Sequence, residues 1–387
     1  MPIAVYALAL MAFSIGTTEL IVSGILPTIS TDLAVSIPTA GLLVTGYAAG
    51  VAIGGPLLAL LTARFPAKPT ILVLSLIFAA GQLLCAIAPN YTLLMAARLV
   101  SACGHGVFFG VAAVTVSRLV PQDRRGAALS LFVGGITIAN ILGLPAGTAI
   151  GNAFGWRASF LCIAIMALLA TLAIASTLPG TDTNAEPEAP LKLQAKQLGH
   201  QQVWSTYLVI ILVMIGAISF GTFQVPLLLE ITKVQPTYIP MFLLLGGAGS
   251  IIGIFLGGKL ADWRVSEALI GVLITQVACS VCLLVSVHNA TALGIGLFLS
   301  SAATLAFSTP VQMRVLNAAK AAPNLASTMI ASAYNVGIAG GALLGAVLLQ
   351  AGMNYAMMPV IGIITGIAAT LVTAASWMAS RRVAVAS

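Results

Sequence analysis

The chain has 387 residues, of which 60% are hydrophobic and only 6% are charged. Soluble domains usually carry about one quarter charged residues, so the composition excludes a water-soluble globular protein. The net charge of +7 would suggest nucleic-acid binding only if the basic residues formed a patch, and they are spread along the whole chain.

The apolar runs predict twelve membrane-spanning helices. Each run has about 17 to 25 residues or more, which is the length that a helix needs to cross the hydrocarbon core of a bilayer. None alternates polar and apolar residues as the strands of an outer-membrane barrel do. Short breaks with Pro, Asn, Asp or paired basic residues separate most runs. The predicted spans, numbered in chain order, are 4–30, 39–61, 70–88, 91–117, 127–150, 158–178, 204–230, 236–257, 267–288, 291–313, 324–351 and 355–379.

The one long polar segment lies between spans 6 and 7. It is rich in Pro, Glu and Lys, a composition typical of a linker. We therefore predict three regions: an N-terminal six-helix bundle at 1–178, a cytoplasmic linker at 179–203 and a C-terminal six-helix bundle at 204–387.

The basic residues predict the orientation of the chain. Of the 16 Lys and Arg residues, 13 fall on one side of the predicted spans, Arg157 and Lys233 fall on the other, and Arg98 lies inside span 4. The positive-inside rule places the basic side in the cytoplasm, and an even number of spans then places both termini there. Because this bias accounts for the charge, we expect the lipid bilayer and a small molecule as partners, and no nucleic acid.

The two halves of the chain resemble each other. Segments at equivalent places in the two halves match at nearly one offset, between about 195 and 199 residues, and transporter folds are built from such repeats. The matching pairs are 59–64 with 258–263, 128–130 with 325–327, and 140–151 with 335–345. We predict two pseudo-symmetric bundles with parallel topology.

Several motifs then indicate a family. They are GTTE at 16–19 followed by LP at 26–27, HGVFFG at 105–110, GLPAG at 143–147 and GWRASF at 155–160. With these motifs the whole chain resembles the major facilitator superfamily, and within it the twelve-helix drug:proton antiporter branch, close to the arabinose-efflux-permease-like exporters. The resemblance implies an all-α membrane protein, and we expect it in a bacterial inner membrane.

The function implied by this resemblance is proton-coupled efflux of small apolar or amphipathic, drug-like compounds by alternating access. An exporter or facilitator of sugars or nucleosides is the alternative. We expect no enzymatic activity, because the sequence shows no nucleophile–base pair and no cluster of His, Asp and Glu. We also expect a monomer with no metal site and no cofactor, with the proton as coupling ion.

Ionisable side chains inside the spans are the candidates for proton coupling, because each costs about 2.5 to 3.5 kcal/mol to place in a bilayer. Counting 1.5 Å per residue from the outer ends of spans 1 and 4, Glu19 lies at a depth of about 16 Å, Arg98 at about 10 Å and His105 at about 21 Å. Glu19 could therefore pair with either. Arg98 also resembles the span 4 arginine that the family links to proton transfer.

Two interpretations of Glu19 remain open from the sequence. A dry site favours the protonated carboxyl group and a nearby cation favours the carboxylate, so alternating access could load and release a proton there. A permanent contact of Glu19 with Arg98 or with the backbone would instead only stabilise the bundle. His105 is likewise either a proton relay or a packed, hydrogen-bonded side chain. Glu230, at the outer end of span 7, is expected to be solvated.

The substrate and gating candidates complete the prediction. We expect no charge deep within the C-terminal spans, and a mainly apolar cavity wall with a few amides. Its candidate residues are Phe220, Phe223, Gln224, Gln276, Tyr334, Asn335 and Asn140. By resemblance, Arg64, Lys68 and Asp262 belong to the superfamily's gating loops, although Ala59, Ala63 and Pro66 replace its usual Gly, Asp and Gly. The small residues Gly143 and Gly147 and the helix-bending Pro145 are expected to let spans 5 and 11 approach each other.

Overall fold

A computed structural model describes residues 1–62, 65–180, 201–319 and 323–386, and all of the regular structure in them is helical. Twelve of its helices are long and apolar enough to cross a membrane, so the predicted number of spans is confirmed. We label them α1 to α12. Their bounds are Ile3–Asp32, Ile37–Thr62, Ala67–Ile87, Tyr91–Arg118, Gln122–Phe154, Trp156–Thr177, Gln201–Glu230, Ile239–Trp263, Val265–Ser286, Ala290–Ala318, Pro323–Gln350 and Met358–Ala386.

Two of these helices are not regular throughout. Within α5, a turn of π-helix at Ala139–Gly143 separates Arg125–Ile138 from Leu144–Phe154. Pro145 follows this turn and has no backbone N–H to donate, so the regular pattern of hydrogen bonds is interrupted there. In α10, Phe307 separates Ala290–Ala306 from Ser308–Ala318.

The end of α10 differs from the prediction. Span 10 was expected to stop at residue 313, but the helix continues to Ala318. The predicted boundary follows the apolar run, whereas hydrogen bonding of the backbone carries the helix past polar residues. Arg314 consequently lies within the helix.

The chain divides into two compact units, Met1–Ala185 and Glu186–Ser387, and the division falls within the segment 181–200, outside the described residues. In the first unit, α1 packs against α5 and α6, α2 packs against α4, and α3 packs against α4 and α6. In the second unit the equivalent helices make the same pairs: α7 with α11 and α12, α8 with α10, and α9 with α10 and α12. The repeat seen in the sequence is therefore also a repeat of helix packing within each unit.

Helix caps repeat in the same way. The side chain of Asn90 accepts a hydrogen bond from the backbone N–H of Leu93 at the start of α4, at 2.9 Å. Asn289, 199 residues later, accepts one from Ala292 at the start of α10, at 3.0 Å. Such a cap satisfies one of the free N–H groups of a helix start, so both helices begin at equivalent positions.

The start of α6 is tied to the ends of two other helices. Gly155, at a φ of 85°, makes the turn from α5 into α6 with a backbone conformation that suits glycine. The next residues both bind the carboxylate of Asp32 at the end of α1: Trp156 donates from Nε1 at 3.0 Å and Arg157 donates from Nη1. Arg157 also donates to the carbonyl oxygen of Ala88, just after α3, at 2.9 Å. The GWRASF motif thus joins three helix ends on one side of the first unit.

Candidate functional site

Arg98, the candidate from span 4, is wholly buried in the first unit. Its Nη1 donates a hydrogen bond of 2.8 Å to the backbone carbonyl oxygen of Thr18 in α1. Its Nε and Nη2 have no hydrogen-bond partner among the described residues. A buried guanidinium is therefore held by one hydrogen bond rather than by a carboxylate.

The aromatic ring of Tyr47 in α2 supplies the second contact of this guanidinium. The central carbon of the Arg98 guanidinium lies 4.1 Å from the centre of that ring, which is a cation–π geometry. The hydroxyl group of Tyr47 in turn shares a hydrogen bond of 3.1 Å with Nδ1 of His105 in α4. The edge of the His105 ring packs against Phe109, with 5.2 Å between the ring centres. Arg98 and His105 are therefore connected through Tyr47.

A buried glutamine joins the remaining helices to this group. The hydroxyl group of Thr18 donates to Oε1 of Gln82 in α3 at 2.6 Å, and Nε2 of Gln82 donates to the hydroxyl oxygen of Ser101 in α4 at 2.9 Å. We call the buried side chains that connect helices α1, α2, α3 and α4 the polar cluster. Its members are Thr18, Tyr47, Gln82, Arg98, Ser101 and His105.

Four members of the polar cluster were not singled out from the sequence. Gln82 carried the same signal as Gln224 and Gln276, an amide within an apolar span, and could have been found in that way. Thr18 lay within the GTTE motif but was not given a role. Ser101 carried no distinguishing signal, because Ser is common where membrane helices pack together. Tyr47 belonged to none of the motifs named above.

Glu19 lies beside the polar cluster but is not joined to it by an ion pair. Its neighbour Thr18 receives the hydrogen bond of Arg98, so the two charged groups act on each other electrostatically. Yet within the described ranges no Lys, Arg or His nitrogen lies within ion-pair distance of the Glu19 carboxyl group. The permanent Glu19–Arg98 ion pair considered from the sequence is not present in this structure.

The amide candidates of the second unit have unused acceptors. Nε2 of Gln276 in α9 reaches the hydroxyl group of Thr304 only at 3.4 Å, and its Oε1 has no partner in the described part of the chain. Asn335 in α11 donates from Nδ2 to the carbonyl oxygen of Ala331 at 3.1 Å, and its Oδ1 is equally unpartnered. The hydroxyl group of Tyr334 also has no partner there. These three polar atoms are therefore buried without a hydrogen-bond partner among the described residues.

The other substrate candidates differ in exposure. Phe220 and Phe223 are both buried. Phe223 packs against Gly345 of α11, so in this structure it contributes to helix packing. Gln224 is partly exposed. Asn140 is partly exposed in the π-helical turn of α5.

The gating candidates lie at different places. Nζ of Lys68, at the start of α3, donates to the carbonyl oxygen of Leu178, just after α6. Asp262 is exposed at the end of α8, and Arg64 lies outside the described residues. Lys68 therefore joins two helix ends within the first unit.

Gly143 and Gly147 of α5 contact α1, which the sequence did not indicate. A methyl group built on Gly143 would overlap the side chain of Thr17, and one on Gly147 would overlap Ile21. Both glycines therefore face α1 in their own unit, whereas the sequence interpretation related them to α11. Gly341 of α11 packs in the same way against Ile215 of α7.

The second unit also holds a buried cation. Arg314 lies four residues before the end of α10 and is only 2% exposed, so it is buried near the end of a span rather than deep within one. Its Nη2 donates to the hydroxyl oxygen of Ser376 in α12 at 2.9 Å. The predicted end of span 10, at residue 313, had left Arg314 just outside the helix.

Comparisons with known proteins agree with this architecture. The profile of the Major Facilitator Superfamily matches residues 8–323. The chain is 38% identical over 367 residues to "Inner membrane transport protein YdhP" of Escherichia coli (strain K12), covering 95% of this chain and 94% of that protein. It is 31% identical over 350 residues to "Chloramphenicol resistance protein" of Streptomyces lividans, covering 89% of each.

A third relative is named for sugars rather than for chloramphenicol. The chain is 31% identical over 354 residues to "Probable sugar efflux transporter" of Helicobacter pylori (strain G27), covering 91% of this chain and 90% of that protein. A match across most of the chain together with twelve spanning helices establishes the assignment: the chain belongs to the major facilitator superfamily and is a multi-pass transporter of the inner membrane, with relatives of the efflux type.

Proposed function

We propose that the protein exports small uncharged or amphipathic compounds in exchange for protons, by alternating access, as a monomer with both termini in the cytoplasm. Efflux is supported by the two relatives named for chloramphenicol resistance and sugar efflux. Twelve spans in two repeated units suit a secondary transporter, in which the two halves rearrange around a site near the middle of the membrane.

The observation that carries proton coupling is the separation of Glu19 from Arg98. The guanidinium is held by the Thr18 carbonyl oxygen and the Tyr47 ring, so it does not require the Glu19 carboxylate as a partner. A carboxyl group that is near a cation but not paired with it can gain a proton when its surroundings dry and lose it when the cation approaches. We assign proton binding to Glu19 and proton release to the approach of Arg98.

His105 has a place in this scheme as a relay. Its Nδ1 is bonded to the Tyr47 hydroxyl group, and that ring contacts Arg98. A change in the position of Arg98 would therefore shift Tyr47 and alter its hydrogen bond with His105. Histidine is suited to pass protons because its two nitrogens can each donate or accept.

The second unit supplies the proposed substrate contacts. The unpartnered Oε1 of Gln276 and Oδ1 of Asn335 could each accept a hydrogen bond from a substrate, and the Tyr334 hydroxyl group could donate one. Tyr334 packs against the apolar core of the second unit, and Phe220 remains a candidate for the apolar wall. Such a wall suits a solute with hydrogen-bonding groups but no net charge, which includes both drug-like compounds and sugars. Gln224, partly exposed in the same unit, is assigned to the same role, and Asn140 of the first unit remains a separate candidate.

The test is proton flux in proteoliposomes with a pH-sensitive dye inside. An imposed substrate gradient is applied with chloramphenicol, a lipophilic cation, arabinose or a nucleoside in turn. We expect one class to evoke proton movement in the natural protein, and Glu19→Gln to abolish this movement while substrate counterflow without a proton gradient continues, because the amide cannot carry a proton.

Glu230→Gln is the matched control, since it makes the same chemical change at an exposed carboxylate at the end of α7. It should leave proton movement unchanged. Substrate-evoked proton movement that survives Glu19→Gln would refute coupling through Glu19. Substrate flux with no proton movement in the natural protein would refute antiport and leave facilitation.

A further inference from the structure

Arg314 is a buried cation that the transport scheme does not use. It lies near the end of α10, with 2% of its surface exposed. Only Nη2 has a hydrogen-bond partner, the hydroxyl oxygen of Ser376, whereas Nε and Nη1 have none among the residues that the structure describes. Burying a guanidinium is costly unless its charge and its donors are met, so an acceptor is missing.

No described carboxylate supplies that acceptor. The acidic residues described in the second unit are Glu230, Asp262 and Glu267. Glu230 ends α7, whereas Ser205, which lies in the hydrogen-bonded group of Arg314, is near the start of that helix. Glu267 forms an ion pair with Arg264, and Asp262 is exposed at the end of α8. Arg314 has no ion pair with any described residue.

Two serine hydroxyl groups lie between Arg314 and the surface of the unit and are joined to it by hydrogen bonds. The Ser376 hydroxyl group, in α12, shares a hydrogen bond of 2.9 Å with the hydroxyl group of Ser205 in α7. Both serines are only partly buried, so the group of donors reaches the outside of the unit between α7 and α12. The Ser205 hydroxyl group also donates to the carbonyl oxygen of Gln202 at 3.0 Å, so the proton of Ser376 is directed to Ser205. An anion that enters between α7 and α12 would replace these two acceptors and would meet Nε and Nη1 of the guanidinium, which are buried in this structure.

The position of this group favours a lipid as the source of the anion. Ser205 is near the start of α7, Ser376 is near the end of α12 and Arg314 is near the end of α10, so all three lie at the same end of the helices. Trp204, half exposed, and Trp377 directly adjoin the two serines. Trp is enriched at the level of the lipid headgroups, and the positive-inside rule makes this end the cytoplasmic one, where anionic lipids bind basic pockets between helices.

We propose that Arg314, Ser376 and Ser205 bind the phosphate group of an anionic phospholipid at the cytoplasmic end of the second unit. The guanidinium presents its nitrogens as a planar fork, which matches two oxygens of one phosphate group. The serines orient that phosphate at the protein surface. The bound lipid supplies the counter-charge that the chain itself lacks there. The proposal does not depend on proton-coupled efflux.

The experiment measures lipid binding to the whole purified protein. Phosphatidylglycerol is titrated against phosphatidylcholine in mixed micelles, and retained lipid is counted by native mass spectrometry. We expect a phosphatidylglycerol molecule that persists after delipidation in the natural protein, and about tenfold weaker retention in Arg314→Gln, because one charge-assisted contact is lost. The double variant Ser205→Ala and Ser376→Ala keeps the charge and should weaken retention less, by roughly threefold.

The matched control is Arg264→Gln, which removes an exposed arginine at the same end of the second unit. It should retain phosphatidylglycerol as the natural protein does. An equal loss in both arginine variants would show a general charge effect and overturn the proposal. Glycerol 3-phosphate and inorganic phosphate are tested for their effect on the melting temperature of the purified protein. If either raises it as much as phosphatidylglycerol does, the assignment to a lipid is overturned. If Arg314→Gln does not fold, unchanged retention in the serine double variant decides against the site.

Discussion

At the scale of single residues, the first unit shows how a buried arginine is kept without a carboxylate. Placing an arginine in a span costs about 2.5 to 3.5 kcal/mol on the insertion scale. A desolvated cation–π contact returns about 2 kcal/mol, and a hydrogen bond from a charged donor returns about 1.5 to 3 kcal/mol. The Tyr47 ring and the Thr18 carbonyl oxygen are therefore sufficient partners for Arg98. Arg98 therefore does not need the Glu19 carboxyl group as its counter-ion.

Tyr47 can be used to separate its two contacts. Tyr47→Phe removes the hydrogen bond to His105 but keeps the ring against Arg98, so we expect a loss of about 1 kcal/mol in the free energy of unfolding. Tyr47→Leu also removes the ring, and we expect about 2 kcal/mol more to be lost. Unfolding in mixed micelles with increasing denaturing detergent measures both. The same two changes at Tyr238, which is exposed, should have little effect. Equal losses for Phe and Leu at position 47 would contradict the cation–π role.

At the scale of helices, glycines decide which faces meet. In α5, Gly135, Gly143, Gly147 and Gly151 recur at multiples of four residues and all contact α1, so they form one face along the helix. In α8, Gly249, Gly253 and Gly257 are spaced in the same way and lie against the backbone of α10. Small residues at this spacing let two backbones approach closely, which provides the packing energy that the hydrophobic effect cannot supply within a lipid bilayer.

Two adjacent glycines of α5 provide a test of this packing. A methyl group on Gly135 would overlap the carbonyl oxygen of Ala9 in α1, whereas one on Gly134 would meet nothing. We expect Gly135→Ala to lower the free energy of unfolding by about 1 to 3 kcal/mol, because the two backbones must separate. Gly134→Ala should be neutral or should stabilise the helix by up to about 1 kcal/mol. Detergent-induced unfolding of the two variants side by side measures the difference, and similar values would contradict close packing at Gly135.

At the scale of the whole molecule, the packing of the helices is repeated in the two units, whereas the buried charged groups are not. The same helix pairs form in both units, and the Asn caps of α4 and α10 are equivalent, so one packing scheme is used twice. The chemistry is not repeated in the same way. The first unit holds Glu19 and the polar cluster, whereas the second holds Arg314 at the end of a helix and neutral amides within its spans.

The orientation of the chain in the membrane can be checked by labelling. Gln122, in the turn before the main part of α5, is predicted to be cytoplasmic, and Lys233, after α7, is predicted to be external; both are exposed. In a background without the five native cysteines, we expect Lys233→Cys to react with an impermeant maleimide in intact cells and Gln122→Cys to react only after lysis. The reverse pattern would contradict the positive-inside assignment and place both termini outside.

The sequence by itself determined the number of spans, the family and the ionisable residues Glu19, Arg98 and His105, because an apolar run of about twenty residues can cross a bilayer only as a helix and a charge within it is conspicuous. Tertiary structure alone decided their partners. Arg98 contacts Thr18 and Tyr47, which are 80 and 51 positions away, and Arg314 is buried by helices that begin or end far from it in the chain. The local pattern of residues sets where a helix forms, whereas the rotation and closeness of neighbouring helices set which side chains meet.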